Sequence, residues 1–138
     1  MKLLDAISLL LMAALYATAG VMHFADPGFF LRIMPAWLPW HLELVQLSGA
    51  IEIALALLLL LPATRRIAAW GVIALLIAVF PANLNMLLND IRPDTILGPT
   101  TRPALWLRLP VQFLLAAWAW RYTRAPRHDT GLRPGRLD

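Results

Sequence analysis

Four apolar stretches, each close to the length of a bilayer-crossing helix, divide this chain of 138 residues. A helix rises about 1.5 Å per residue, so about 20 apolar residues cover the ~30 Å hydrocarbon core of a membrane. The first run goes from Leu3 to about Phe24 and is interrupted only by Asp5. The second goes from about Glu43 to Leu61 and stops at Pro62. The third follows Arg65-Arg66 and reaches about Leu88, with Pro81 inside it. The fourth goes from about Pro103 to Tyr122, with Pro110 inside it. Each internal proline removes one backbone hydrogen bond and marks a candidate kink. Composition agrees with the runs: 60% of residues are hydrophobic and 14% charged, against about 45–50% and ~25% in soluble domains. The expected fold is all-α, an integral membrane four-helix transmembrane bundle over residues 1–122 that takes a lipid bilayer as its solvent. Residues 123–138 are basic and rich in Pro and Gly, and are expected to form a disordered tail.

A cleaved signal peptide is the rival reading of the first run, since Lys2 precedes it. The run is too long for a typical apolar signal core, and Ala17-Thr18-Ala19 is a weak cleavage site, so a retained helix is expected. Residues 25–42 carry Pro27, Pro35 and Pro39 with Trp37, Trp40 and His41. Prolines interrupt helix and tryptophans favour the membrane–water interface, so this segment reads as a loop with a short interfacial piece. Residues 89–102 are polar, carry Pro93, Gly98 and Pro99, and read as a second loop.

Four crossings would put both termini and the second-to-third connection on one side. That side holds Lys2, Arg65, Arg66, Arg121, Arg124, Arg127, Arg133 and Arg136; the other holds Arg32, Arg92, Arg102 and Arg108. The positive-inside rule then places both termini in the cytoplasm. The net charge of +4 is thereby read as an orientation signal. Nucleic acid is not an expected partner, because no soluble module is present to carry such binding.

Orientation turns sequence position into depth. His23, Gln46, Glu52, Asn83, Asn85, Asn89, Arg108 and Gln112 all fall in the outer part of their helices or near its midpoint. The inner segments 54–61, 67–80 and 114–119 carry no ionisable side chain. An ionisable group in the membrane costs about 2.5–3.5 kcal/mol on insertion scales and usually faces the bundle interior or a wet cavity. Helical spacing groups Tyr16, Gly20 and His23 on one face, and Gln46, Gly49 and Glu52 on another. Gly20 and Gly49 would let two backbones approach closely beside the polar groups. The expectation is a polar pocket shared by all four helices and open to the outer side.

Each of these residues also has a structural reading. Glu52 is either a functional carboxyl or a packing partner of Arg108 or His23, and is either an ion or a neutral acid. Asn83 and Asn85 could rebond backbone freed by Pro81. Arg102 and Arg108 could extend to the surface. Trp70, Trp106, Trp118 and Trp120 read as interface anchors or packing. His23, Glu52 and His41 are the only set that could ligate a metal, and they lack metal-site spacing, so no metal is expected. The chain has no cysteine, which removes thiol and disulfide chemistry.

Several short strings, one or more per apolar run, resemble the DoxX-like membrane proteins. They are Ala19-Gly20-Val21-Met22-His23-Phe24, then Pro35, then Ser48-Gly49-Ala50-Ile51-Glu52. Ala68-Ala69-Trp70-Gly71 follows, then Val79-Phe80-Pro81-Ala82-Asn83-Leu84-Asn85-Met86, and finally Arg108-Leu109-Pro110-Val111-Gln112. The resemblance covers roughly residues 5 to 122. It implies a four-helix bundle in the bacterial inner membrane. Among such proteins are subunits of quinone-linked oxidoreductases, including thiosulfate:quinone oxidoreductase, a maturation factor for methylamine dehydrogenase, and a distant animal branch of receptor chaperones. The absence of cysteine departs from a thiol-handling member and weakens a disulfide-relay reading. The candidate ligand-binding residues are His23, Glu52, Asn83, Asn85, Arg108 and Gln112, with no catalytic role assigned to any of them.

The leading expectation is an accessory subunit of a membrane redox system that binds a quinone or another apolar small molecule. The alternative is an assembly or chaperone-type factor for another membrane protein. A third reading is an enzyme acting on a lipid-like substrate with Glu52 and His23 as acid and base. The expected partners are the bilayer, a membrane redox protein and a second copy in a homodimer.

Overall fold

The computed structural model describes residues 2–95 and 98–124. Five helices dominate it. They are α1 (Leu3–Ala25), α2 (Pro27–Ile33), α3 (His41–Leu60), α4 (Arg65–Leu88) and α5 (Arg102–Trp120). A two-residue antiparallel pair, β1 (Asp94–Thr95) with β2 (Gly98–Pro99), sits between α4 and α5. Three helices, α1, α3 and α4, are long and apolar enough to cross a membrane, with mean hydropathies of 1.8, 1.9 and 2.2. Of the tail expected at 123–138, only Thr123 and Arg124 fall among the described residues, and Thr123 hydroxyl bonds back to Trp120 O.

The segment expected to be a loop contains α2, and the reason lies in its first residues. Asp26 caps the helix by accepting from Phe29 N at 3.4 Å. Pro27 stands in the first turn, where its missing N–H costs nothing. Thus a proline that would break a helix interior opens this one. The second expected loop begins as a helix terminus. Asp90 adopts a left-handed φ of 49°. Ile91 N bonds to Met86 O at 2.9 Å and Asp90 N to Leu87 O at 3.4 Å, which together form the Schellman closure of α4.

The tight turn between α3 and α4 is closed by side chains. Thr64 hydroxyl donates to Leu58 O at 2.8 Å, and Arg65 Nε donates to Leu59 O at 3.0 Å. These carbonyls end α3 and have no intrahelical donor. Arg65 therefore serves as a helix cap.

Packing is divided between two ends. At one end Leu9, Met12, Ala13 and Tyr16 of α1 meet Leu55, Ala56 and Leu59 of α3 and Ala68, Ala69, Val72, Leu75 and Leu76 of α4. Ala119 and Tyr122 join them. Trp118 Nε1 and Tyr122 hydroxyl both donate to Ser8 Oγ, at 2.9 and 2.6 Å, and Arg121 pairs with Asp5. At the other end Ile33, Met86 and Leu105 form a smaller cluster with Phe29 and Phe30 beside it. Helix α2 lies over that end. Outside the core, Leu10, Leu11, Leu57, Ile67, Ile77, Phe113 and Leu114 are exposed. An apolar exterior around a packed interior is what a lipid solvent requires.

Candidate functional site

The site is built where α1 and α3 come closest. A Cβ added to Gly20 would stand 2.6 Å from Gly49 O, and one added to Gly49 would stand 2.5 Å from His23 Cβ. Two glycines facing each other thus remove the spacing that side chains impose. His23 is carried three residues beyond Gly20, and Glu52 three beyond Gly49. Both are buried, at 6% and 8% exposure. Tyr16, Gly20 and His23 all lie on the buried face of α1.

The hydrogen of His23 Nδ1 has a defined direction. Nδ1 is 2.8 Å from Ala19 O, and a carbonyl only accepts, so Nδ1 carries the proton. In the neutral ring Nε2 is then an acceptor, and it makes no hydrogen bond among the described residues. Nδ1 also stands 3.3 Å from Glu52 Oε2, within ion-pair range. That contact is not a hydrogen bond, because the N–H points at Ala19. Glu52 Oε2 is consequently buried without a hydrogen-bond partner, as are Ser48 Oγ and Tyr16 Oη. His23 also stacks on Phe30, with ring centroids 3.6 Å apart and planes 20° from parallel.

A cavity of about 360 Å³ opens beside this pair, inside the ~300–1,000 Å³ range usual for small-molecule sites. Its polar lining is His23, Ser48, Glu52, Asn83 and Arg108, and the rest is apolar, including Phe29, Phe30, Ile33, Leu75, Ala78 and Val79. A second cavity of about 270 Å³, lined by Ala19, Met22, Asp26 and Thr95, shares Phe29, Phe30 and Arg108 with the first. The two phenylalanines of α2 therefore form a wall between them. Arg108 stands at that wall, its guanidinium 5.5 Å from the Phe29 ring centre, a cation–π distance.

Of the six candidate residues, His23, Glu52, Asn83 and Arg108 line the larger cavity. Gln112 and Asn85 do not. Gln112 is buried between α4 and α5, beside a separate groove formed with Phe80 and Phe113. Its Nε2 donates to Leu76 O, and its Oε1 accepts from Asn83 Nδ2 at 2.9 Å. Leu76 O adjoins the Ile77 carbonyl that Pro81 leaves without a donor. The backbone carbonyl sets which end of the Gln112 amide is nitrogen, and that sets Asn83 in turn. Asn83, which also lines the cavity, keeps Oδ1 and the second Nδ2 hydrogen. Asn85 Nδ2 instead ties α4 to the end of α2, donating to Ile33 O at 3.1 Å. Asn89 donates to Asn85 Oδ1 at 2.7 Å.

Two placements differ from the helical-spacing expectation. Gln46 is exposed, because steps of three residues drift by about 60° each and two such steps leave it about 120° from Glu52. Ser48, four residues before Glu52, is the other polar α3 side chain that lines its cavity. The i, i+4 relation to Glu52 was the signal that could have found it. His41 is bonded to Pro35 O at 3.2 Å, away from His23 and Glu52. No group of three or more metal-ligating side chains occurs among the described residues.

A family model, a domain of unknown function (DUF8561), matches residues 12–123. That span contains every residue of the cavity. No curated protein and no solved structure matches the chain.

Proposed function

The chain belongs to the DUF8561 family, and on that premise we propose that it is a four-span inner-membrane protein whose cavity binds a quinone or another apolar small molecule, as an accessory subunit of a membrane redox system. The observation that carries the reading is an apolar cavity of about 360 Å³ into which a buried, hydrogen-bond-free Glu52 is set. Leaving a buried polar group unpaired costs about 1–3 kcal/mol, so a fold that keeps one beside an open cavity points to a ligand that completes it. Ser48 and Arg108 supply donors for a carbonyl ligand, and Phe29 and Phe30 supply flat apolar contact. The DoxX-like resemblance, with its quinone-linked members, supports the same reading.

Support for a fourth crossing comes from α5. Its first half meets Phe29 of α2 through Arg108, and its end meets Ser8 and Asp5 of α1. It thus extends along the full length of the bundle beside α4. With four crossings, the charge distribution favours cytoplasmic termini and places the cavity toward the periplasm.

The test is equilibrium binding of a decyl-substituted benzoquinone to the purified protein in detergent. Saturable binding, weakened about tenfold or more in the Ser48→Ala/Arg108→Leu double variant that removes both donors, is the expected result. Absence of saturable binding, or equal binding by the variant, would remove the quinone reading and favour the assembly-factor alternative.

A further inference from the structure

The cavity's hydrogen-bonding groups are unequal in kind, and the imbalance bears on the ligand. His23 Nε2 is an acceptor because Nδ1 donates to Ala19 O. Asn83 offers the acceptor Oδ1 and, since Nδ2 donates one hydrogen to Gln112 Oε1, one remaining donor. The Glu52 carboxyl has two oxygens, no hydrogen bond and at most one proton, so acceptor sites outnumber donors there in either form. Ser48 Oγ adds one donor and one acceptor, without a partner of its own. Arg108 donates as well, from its place over the Phe29 ring. The end of the cavity bounded by His23, Ser48 and Glu52 is therefore acceptor-rich, and it is also where the His23–Phe30 stack presents flat surface.

We propose that this cavity selects an apolar ring compound bearing a hydroxyl donor, such as a phenol or a quinol, over the matching ether or dione. The inference rests on the small-molecule reading of the same cavity and narrows it. The ligand hydroxyl donates to Glu52 and accepts from Ser48, and the ring lies among Phe29, Phe30 and His23. A dione brings acceptors only, so it can take at most the single proton of a neutral Glu52 and leaves the other carboxyl oxygen and His23 Nε2 without a donor. For a quinone/quinol couple, the site holds the reduced member more tightly.

The test uses redox-inert probes, 4-hexylphenol and 4-hexylanisole, with the decyl-substituted benzoquinone as the dione, all on the purified full chain in detergent. The expected result is phenol binding about tenfold or more tighter than anisole, the ratio that follows when a buried acceptor loses its donor. In Glu52→Leu the phenol should fall to the anisole level while anisole binding persists, which also reports that the variant is folded. If that variant loses both probes, the wild-type ratio alone decides. Equal binding of phenol and anisole, or tighter binding of the dione, would overturn the inference and leave the cavity reading standing. Failure of all three probes to bind would overturn both.

Discussion

Replacing Gly49 by Ala tests the contact on which the site is hung. The new Cβ would lie 2.5 Å from His23 Cβ, 2.8 Å from Gly20 O and 3.0 Å from Phe24 Cε2. The optimum for carbon pairs is about 3.5–4.0 Å, so the shortfall at His23 is about 1 Å. The two nearest obstacles are a backbone oxygen and a Cβ fixed to its backbone, so neither can swing aside. Helices α1 and α3 must part, and overpacking of this kind costs about 1–3 kcal/mol. The same separation carries His23 away from Glu52, now at 3.3 Å. Ligand binding should therefore fall together with stability. Two controls calibrate the assay, which is reversible unfolding in mixed detergent followed by circular dichroism. At Gly71 the added Cβ meets only Leu55 Cδ2 at 2.5 Å, the tip of a flexible side chain, so Gly71→Ala should cost distinctly less. At Gly28 the nearest atom is Asp26 Oδ1 at 3.5 Å, so Gly28→Ala should be neutral or gain about 0.5–1 kcal/mol from helix propensity. The reasoning is refuted if Gly49→Ala unfolds no earlier than Gly28→Ala.

Three further outcomes follow from particular contacts. Gln112→Leu should destabilise by about 1–3 kcal/mol by taking the acceptor from Asn83 Nδ2 and one donor from Leu76 O; in a double-mutant cycle with Asn83→Leu, a strictly additive pair would contradict the coupling. Asp90→Gly should raise the unfolding free energy by about 0.5–1 kcal/mol, since Asp90 holds a φ of 49° at a Schellman position and its pairing with Arg92 is exposed. Because the chain has no cysteine, single cysteines report topology directly: in right-side-out vesicles Thr101→Cys should react with an impermeant maleimide, whereas Ala63→Cys and Arg124→Cys should not, and labelling of Arg124→Cys together with Thr101→Cys would mean that α5 does not cross.

The long helices were legible because run length and flanking breakers are local properties. Leu3–Ala25, His41–Leu60 and Arg65–Leu88 lie within two residues of the apolar runs that predict them. The approach of Gly20 to Gly49 was legible for a related reason, since two small residues beside buried polar groups mark a close helix crossing. Helix α2 was not, because a proline reads as a breaker unless a cap such as Asp26 makes it a first-turn residue. The division of labour among the polar side chains was also hidden. Whether Gln112 meets a ligand or a carbonyl depends on Leu76 O, 36 positions away, and on the irregularity Pro81 introduces. Asn85 and Ile33 are likewise brought together across 52 positions. Spacing tells which residues share a helix face; it does not tell which of them a neighbouring backbone will already have engaged.

The proposed seat of a small apolar ligand is the cavity bounded by His23, Ser48, Glu52 and Asn83. Anomalous diffraction from crystals soaked with 4-bromophenol locates such a ligand, because bromine marks its own position. The strongest peak is expected inside that cavity, with the phenol oxygen in hydrogen-bond reach of Glu52. A strongest peak in the lipid-facing groove beside Phe80 and Phe113, or a Glu52 carboxyl turned out toward lipid, would contradict it.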